Sequence, residues 1–220
     1  MMQSTRQRVK DFLAFPLRAV AIFENDRWGL SSLRSERFEY CAAEVRGYCL
    51  DLGCGRGNRF ITEYLGGNGL GVDVFPYEGL GPQNIVPDPS HLPYDDGTFD
   101  SVALIANLNH IPRPIRDAEL AECFRVLKVG GGNIIVTMGA PGAELLAHLA
   151  VFLHDMVFKT RHDVDHERGM KADEEYFVRE GEILNRLARA GFVNVTKRRF
   201  WTQWWLNAIY VGWKARGPHE

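Results

Sequence analysis

A chain of 220 residues with net charge −2 and pI near 6.4 can bury one full core, and it lacks the global positive field of a nucleic-acid binder. Its four cysteines (Cys41, Cys49, Cys54, Cys123) form no CxxC pair, which fits a reduced cytoplasmic protein. No uncharged stretch reaches the roughly 18 residues of a membrane span, and no signal peptide is expected, because Pro16 and Arg18 interrupt the short apolar run after Arg6, Arg8, Lys10 and Asp11.

In chain order, residues 1–46 are expected to form a helical N-terminal cap: one or two short helices broken near Pro16, then a helix from Ser35 to Arg46. In that helix Phe38, Cys41, Ala42 and Val45 recur at helical spacing, and Gly47 ends it. Residues 47–214 alternate apolar strands with amphipathic helices, the pattern of a parallel sheet covered on both faces. Strands are expected at Tyr48–Leu52, Gly69–Val74, near Asn84–Val86, at Phe99–Ala106 and at Asn133–Met138. The intervening helices are Asn58–Leu65 and Pro114–Lys128, the latter with proline in its first turn. A further helix spans Ile183–Ala190, and Phe192–Phe200 with Trp204–Lys214 read as a closing antiparallel hairpin, leaving 215–220 as a tail. The aromatic stripe Phe200, Trp201, Trp204 and Trp205 is expected in the sheet core, with a Trp near the pocket mouth stacking on a substrate as the alternative. Residues 140–178 form an insertion with an apolar helical run from Leu145 to Val157 and a charged loop, expected as a lid.

The informative stretch is Leu50-Asp51-Leu52-Gly53-Cys54-Gly55-Arg56-Gly57. A strand that stops on a glycine-rich turn and re-enters a helix leaves backbone N–H groups facing a cleft, with no Cβ to keep a ligand off the loop. The dinucleotide pattern G-x-G-x-x-G would need glycine at 58, which is Asn58. Asp73 stands at the end of the second strand, where a carboxylate reaches the ribose hydroxyls of a nucleoside laid over the first loop. Asn107, Asn109 and His110 follow the fourth strand, at the carboxyl end where such sheets place ligands.

The G-x-G-x-G turn preceded by Asp51 resembles motif I of the class I S-adenosylmethionine-dependent methyltransferases. Asp88-Pro89-Ser90-His91-Leu92-Pro93-Tyr94 followed by Phe99-Asp100, and Phe124-Arg125-Val126-Leu127-Lys128-Val129-Gly130-Gly131, resemble two further family segments, with Val129 where proline is usual. The pattern is that of the small-molecule, ubiquinone/menaquinone-methyltransferase-like members and covers about residues 45 to 140. The resemblance implies a doubly wound, Rossmann-like α/β fold. Its sheet would have seven mostly parallel strands with an antiparallel C-terminal hairpin strand and helices on both faces.

The implied cofactor is S-adenosyl-L-methionine, held by Asp51, Gly53, Cys54, Gly55, Gly57, Asp73, Val74, Asp88, Pro89, Ser90 and Asn107. Asp51 suits the positive end of that molecule, and Asp88 would accept from the adenine amino group. The implied reaction is in-line methyl transfer to a small-molecule acceptor, largely an orientation effect. A base is needed only for a protonated acceptor. His110 is then the candidate, against an alternative as a packing histidine, with Asn109, His154 and His166 as pocket residues. No metal is expected, because His162, Asp163, Asp165, His166 and Glu167 read as a solvated charged loop. Neither a nucleic-acid partner nor an integral membrane segment is expected. The alternatives are a non-catalytic S-adenosylmethionine-binding regulator and a Rossmann-type oxidoreductase, which Asn58 and the Leu-Pro-Tyr segment disfavour.

Overall fold

The computed structural model describes residues 3–21, 25–140, 152, 156 and 178–216. Ser4 opens the first helix, α1 (Thr5–Leu13), its hydroxyl accepting from the Gln7 N–H at 3.2 Å. The following helix, α2 (Phe15–Ala21), carries Pro16 in its first turn. The bonds Ala14 N–H to the Lys10 carbonyl and Arg18 N–H to the Ala14 carbonyl, both 3.0 Å, carry the helical spacing across the junction. Proline has no N–H to offer the carbonyl four residues back. Here that carbonyl belongs to Phe12, and the indole N–H of Trp204 donates to it at 3.0 Å. Ser32 caps α3 (Leu33–Ala42) in the same manner as Ser4, accepting from Ser35 N–H at 2.9 Å.

Four parallel strands follow: β1 (Cys49–Leu52), β2 (Gly69–Val72), β3 (Ser101–Ile105) and β4 (Asn133–Gly139). Helix α4 (Arg116–Val126) joins β3 to β4, and α5 (Glu180–Arg189) precedes β5 (Val193–Arg199) and β6 (Asn207–Trp213). The order is β2-β1-β3-β4-β6-β5, with β6 antiparallel to both neighbours. Leu50, Leu52, Val102, Leu104, Ile134 and Val136 pack against α4 and α5, while Cys49, Ala103 and Ile135 meet Phe38 and Cys41 of α3 together with Phe60 and Ile61. That alternation is the two-residue period of strands buried on both sides.

Among the described residues the sheet has six strands, against the seven expected. The segment near Asn84–Val86 makes a single parallel bridge, Asp73 to Ile85, with Asp73 N–H on the Asn84 carbonyl (2.8 Å) and Val86 N–H on the Asp73 carbonyl (3.0 Å). Pro82 opens a 3₁₀ turn before it, and Pro87 has no N–H to extend a ladder after it. The expected helix at Asn58–Leu65 is also shorter. Gly57 (φ 72°) and Asn58 (φ 48°) leave the helical region, and what remains is a five-residue π turn, Phe60–Tyr64.

The expected aromatic core stripe divides: Phe200 is fully buried, whereas Trp204 and Trp205 are exposed. Both have positive φ, 50° and 60°, in the turn that joins β5 to β6.

The N-terminal helices are anchored on that turn by the buried guanidinium of Arg18. It donates to the carbonyls of Ser31 (2.7 Å), Asp11 (3.0 Å) and Thr202 (3.1 Å) and to the Glu36 carboxylate (2.6 Å). Gln203 Nε2 donates to the same Glu36 oxygen at 2.9 Å, and the Thr202 hydroxyl donates to the other. The Arg18 and Glu36 charges are thereby each met by the other and by dipoles, which a buried ion requires.

Candidate active site

The carboxyl ends of β1 and β2 carry the expected loop. Gly53 N–H and Cys54 N–H both donate to the Val72 carbonyl, at 2.8 and 3.0 Å, so the turn folds back over the neighbouring strand. Three glycines with positive φ, Gly53 (83°), Gly55 (62°) and Gly57 (72°), make the reversals that L side chains resist.

They differ in what surrounds them. A Cβ on Gly53 would lie 2.5 Å from Nδ2 of Asn107, whereas a Cβ on Gly55 would meet nothing within 4 Å. Gly53 is therefore required by packing, and Gly55 stands under open space. Gly57 N–H donates to the Glu78 carbonyl at 3.1 Å, closing the turn onto the 75–80 loop.

Asp51 and Asp73 lie behind this turn. Asp73 is buried just past β2, with Oδ2 accepting from Gly55 N–H and Oδ1 from Phe75 N–H, both at 3.0 Å. Each carboxylate oxygen keeps a second lone pair, so neither bond exhausts it. Asp51 is 2% exposed in β1, and its Oδ1 has no hydrogen-bond partner. Burial, with the nearby Asp73 carboxylate adding to it, pushes the Asp51 carboxyl up to about 8. Burial, with the same two carboxylates adding to it, raises the Cys54 thiol. A buried carboxyl with an empty acceptor beside an open glycine turn is the local environment a cationic ligand group would satisfy.

Asn107 braces this turn from the β3 side, its Nδ2 donating to the Leu52 carbonyl at 3.0 Å. Just before it, Ala106 takes a positive φ of 52°, with its N–H held by the Thr137 hydroxyl at 2.9 Å. The Asn107 carbonyl accepts from His110 N–H at 2.8 Å, a turn that places half-buried His110 and buried Asn109 beyond the strand. Arg116, fully buried, grips that turn by donating to the carbonyls of Ile111 (2.8 Å) and Asn109 (3.5 Å).

Asp88 sits apart from the Asp51–Asp73 pair. It is exposed, and its carboxylate is engaged locally: Oδ1 accepts from the N–H (3.0 Å) and hydroxyl (2.5 Å) of Ser90, while Oδ2 pairs with Nδ1 of His91 at 2.9 Å. The Ser90 and His91 bonds hold the Asp88 carboxyl below the usual range. Val74 is exposed and Pro89 half-exposed on the same rim. His154 and His166, with the 162–167 charged cluster, lie outside the described residues. Among the described residues, no three His, Cys, Asp or Glu side chains are grouped to hold a metal ion.

Two features had no sequence signal beyond residue type. Glu119 of α4 is 1% exposed, and burial, with Asp88 adding to it, pushes its carboxyl up to about 8. Asn58 sits with Oδ1 buried and unpartnered against Gly71, where any Cβ would overlap it. Its asparagine identity fits the left-handed backbone it adopts.

Residues 50–135 match the family model described as "Methyltransferase domain". Over that segment the chain is similar to the class I S-adenosylmethionine-dependent methyltransferases. It is 35% identical over 97 residues to the sterol 24-C-methyltransferase erg6 of Schizosaccharomyces pombe, covering 37% of this chain and 25% of that protein. It is 30% identical over 120 residues to the sterol 4-C-methyltransferase strm-1 of Caenorhabditis elegans, covering 48% and 35%. The chain thus spans a quarter to about a third of the length of these relatives. Its fold superimposes on a solved Thermotoga maritima protein described as an S-adenosylmethionine-dependent methyltransferase, possible histamine N-methyltransferase. The TM-score is 0.57 at 16% identity, over 94% of this chain and 97% of that one.

Proposed function

We propose that this domain binds S-adenosyl-L-methionine across the Gly53–Gly57 turn and transfers its methyl group to a small-molecule acceptor. The observation that carries the reading is the unpartnered Oδ1 of buried Asp51 behind the open face of Gly55. The cofactor supplies an already activated sulfonium methyl, together with an α-ammonium group that Asp51 would meet. Asp73 would accept from the ribose hydroxyls through its remaining lone pairs while holding Gly55 N–H in place. Gly53, Cys54 and Gly57 shape the turn, and Asn107 holds its underside. Val74, Asp88, Pro89 and Ser90 would frame the adenine.

The chain's own contribution is positional. The turn and its carboxylates fix one reactant, and the Asn107–Ile111 loop, gripped by Arg116, borders the place of the other. His110 on that loop would take the proton where the acceptor is a hydroxyl or protonated nitrogen. The sterol C-methyltransferase names of the two relatives support an apolar acceptor, for which no base at the nucleophile is obligatory.

The division into a 1–46 cap, a 47–214 core and a 140–178 insertion belongs to this reading, as does a cytoplasmic setting without a nucleic-acid partner. Among the described residues, no helix is long and apolar enough to cross a membrane.

Calorimetry tests the reading. Micromolar binding of S-adenosylmethionine and of its demethylated product is expected, with none of NAD. Binding of NAD alone would return the chain to the oxidoreductase class. Methyl-labelled cofactor incubated with apolar and polar small-molecule extracts should then pass label into one fraction.

A further inference from the structure

The turn that joins β5 to β6 is placed by strand register. β6 runs antiparallel to β4, and Asn207 stands opposite Gly139, the last residue of β4. Residues 200–206 therefore lie at the carboxyl end of the parallel strands, the same end as the glycine turn. In this position Trp204 and Trp205 hold left-handed backbone conformations, which bulky residues rarely adopt. They present their rings to solvent, with Trp205 51% exposed. Phe12 of α1 touches both indoles, with centroids at 6.3 and 6.1 Å, and Phe15 meets Trp204 at 5.3 Å.

On the outer side of the same helices, Val9, Leu13 and Leu17 recur four apart and are all exposed, Leu13 by 72%. Apolar residues at that spacing form one stripe along a helix. Basic side chains border it. Arg6 and Lys10 are exposed on α1, Arg199 donates to the Trp205 carbonyl at 3.3 Å, and the sole acid of the first 21 residues, Asp11, is fully buried. Two carboxylates lie nearby: Asp26, in a recess shared with Gln7, accepts from Ser32 N–H and the Ser35 hydroxyl, and half-buried Glu180 is held by Lys197 and Arg199.

We propose that the outer face of α1 and α2, with the Trp204–Trp205 turn, is a peripheral docking surface for an anionic lipid bilayer. Exposed indoles prefer the water–headgroup boundary, where an apolar ring and a polar edge are both satisfied. Val9, Leu13 and Leu17 enter the acyl boundary, while Arg6, Lys10 and Arg199 meet lipid phosphates. The bilayer then faces the same end of the sheet as the glycine turn. The surface shares no residue with the proposed cofactor site, so the proposal does not depend on the methyl-transfer reading.

The test is co-sedimentation of the full chain, without cofactor, with vesicles of phosphatidylcholine alone and with 30 mol% phosphatidylglycerol. Binding to the anionic vesicles is expected to be at least tenfold tighter and to weaken as salt rises. The double variant Leu13→Glu/Leu17→Glu alters two exposed side chains and should lose that binding with its circular dichroism unchanged. Arg6→Glu serves as a second variant, expected to weaken only the anionic arm. In a Trp28→Phe background, brominated lipid should quench the tryptophan emission. No binding to anionic vesicles, or binding indifferent to these variants, overturns the proposal. So does a dimer held by this face, seen by sedimentation velocity and dissolved by the double variant, without vesicle binding.

Discussion

Gly55 N–H donates to Oδ2 of Asp73 at 3.0 Å, tying the middle of the glycine turn to the end of the neighbouring strand. One carboxylate thus shapes the turn and, on the proposed reading, also receives the ribose. Asp73→Ala should weaken S-adenosylmethionine binding by about 1–3 kcal/mol. Asp73→Asn, which can still accept from one N–H, should lose less. Calorimetry on both variants measures this, and equal affinity for wild type and Asp73→Ala would remove Asp73 from the cofactor site.

The glycines of the turn should separate folding from binding. Gly53→Ala forces a Cβ into Asn107 at a positive φ and is expected to cost about 1–3 kcal/mol of stability. Gly55→Val meets no neighbour but is strained at φ 62°, a cost borne by the turn, so most of the core should stay folded while cofactor binding is lost. Thermal melts and calorimetry read the two effects. A Gly55→Val protein that binds normally would show that the ligand does not cross this turn.

Two buried carboxyls give stability a pH slope of defined sign. Asp51 and Glu119 are both raised to about 8 from ordinary values of 3.8 and 4.5. The folded state therefore keeps protons that the unfolded chain releases. Their contribution is fully present below about pH 4 and is lost as pH rises towards 8. Urea midpoints of the ligand-free protein should fall between about pH 5 and pH 8, and Asp51→Asn with Glu119→Gln should flatten that fall. A cationic ligand group beside Asp51 favours its ionised form. Cofactor binding near pH 6.5 should thus release close to one proton, measured by calorimetry in buffers of different ionisation enthalpy. Asp51→Asn should abolish the release.

Arg18 is the centre of the packing between the N-terminal helices and the C-terminal turn. Arg18→Ala leaves the Glu36 carboxylate buried without its cation and should destabilise the fold by about 3–5 kcal/mol. Lysine cannot reproduce the four-way guanidinium fork, so Arg18→Lys should recover little. Chemical denaturation of the two variants checks this, and a loss under 1 kcal/mol for Arg18→Ala would show that the core pair is not required.

Much of the site's outline was legible because it is local. Asp51, Gly53, Gly55 and Gly57 sit on one strand-to-turn segment, and Asp73 is placed by the end of the next strand. The bracing role of Asn107 was not legible. It depends on β3 lying beside β1 in a register that brings position 107 under Gly53, a consequence of the sheet and not of spacing. The third strand was overread because apolar Ile85 and Val86 mimic a strand, while Pro82 and Pro87 limit it to one bridge. Trp204 and Trp205 were placed in the core on hydrophobicity alone. Their left-handed backbone, which turns the rings outward, has no counterpart in composition.

The Arg18 anchor also bears on the order in which the protein is made. The Thr202 carbonyl it binds lies 184 residues further along the chain. During synthesis the first helices leave the ribosome long before their docking site exists, with a guanidinium and the Glu36 carboxylate still waiting for Thr202 and Gln203. Final seating of the N-terminal segment must therefore be a late event, after the hairpin of β5 and β6 has emerged. Nascent chains that stop short of Thr202 should carry an N-terminus open to protease, and chains released past Trp213 should not.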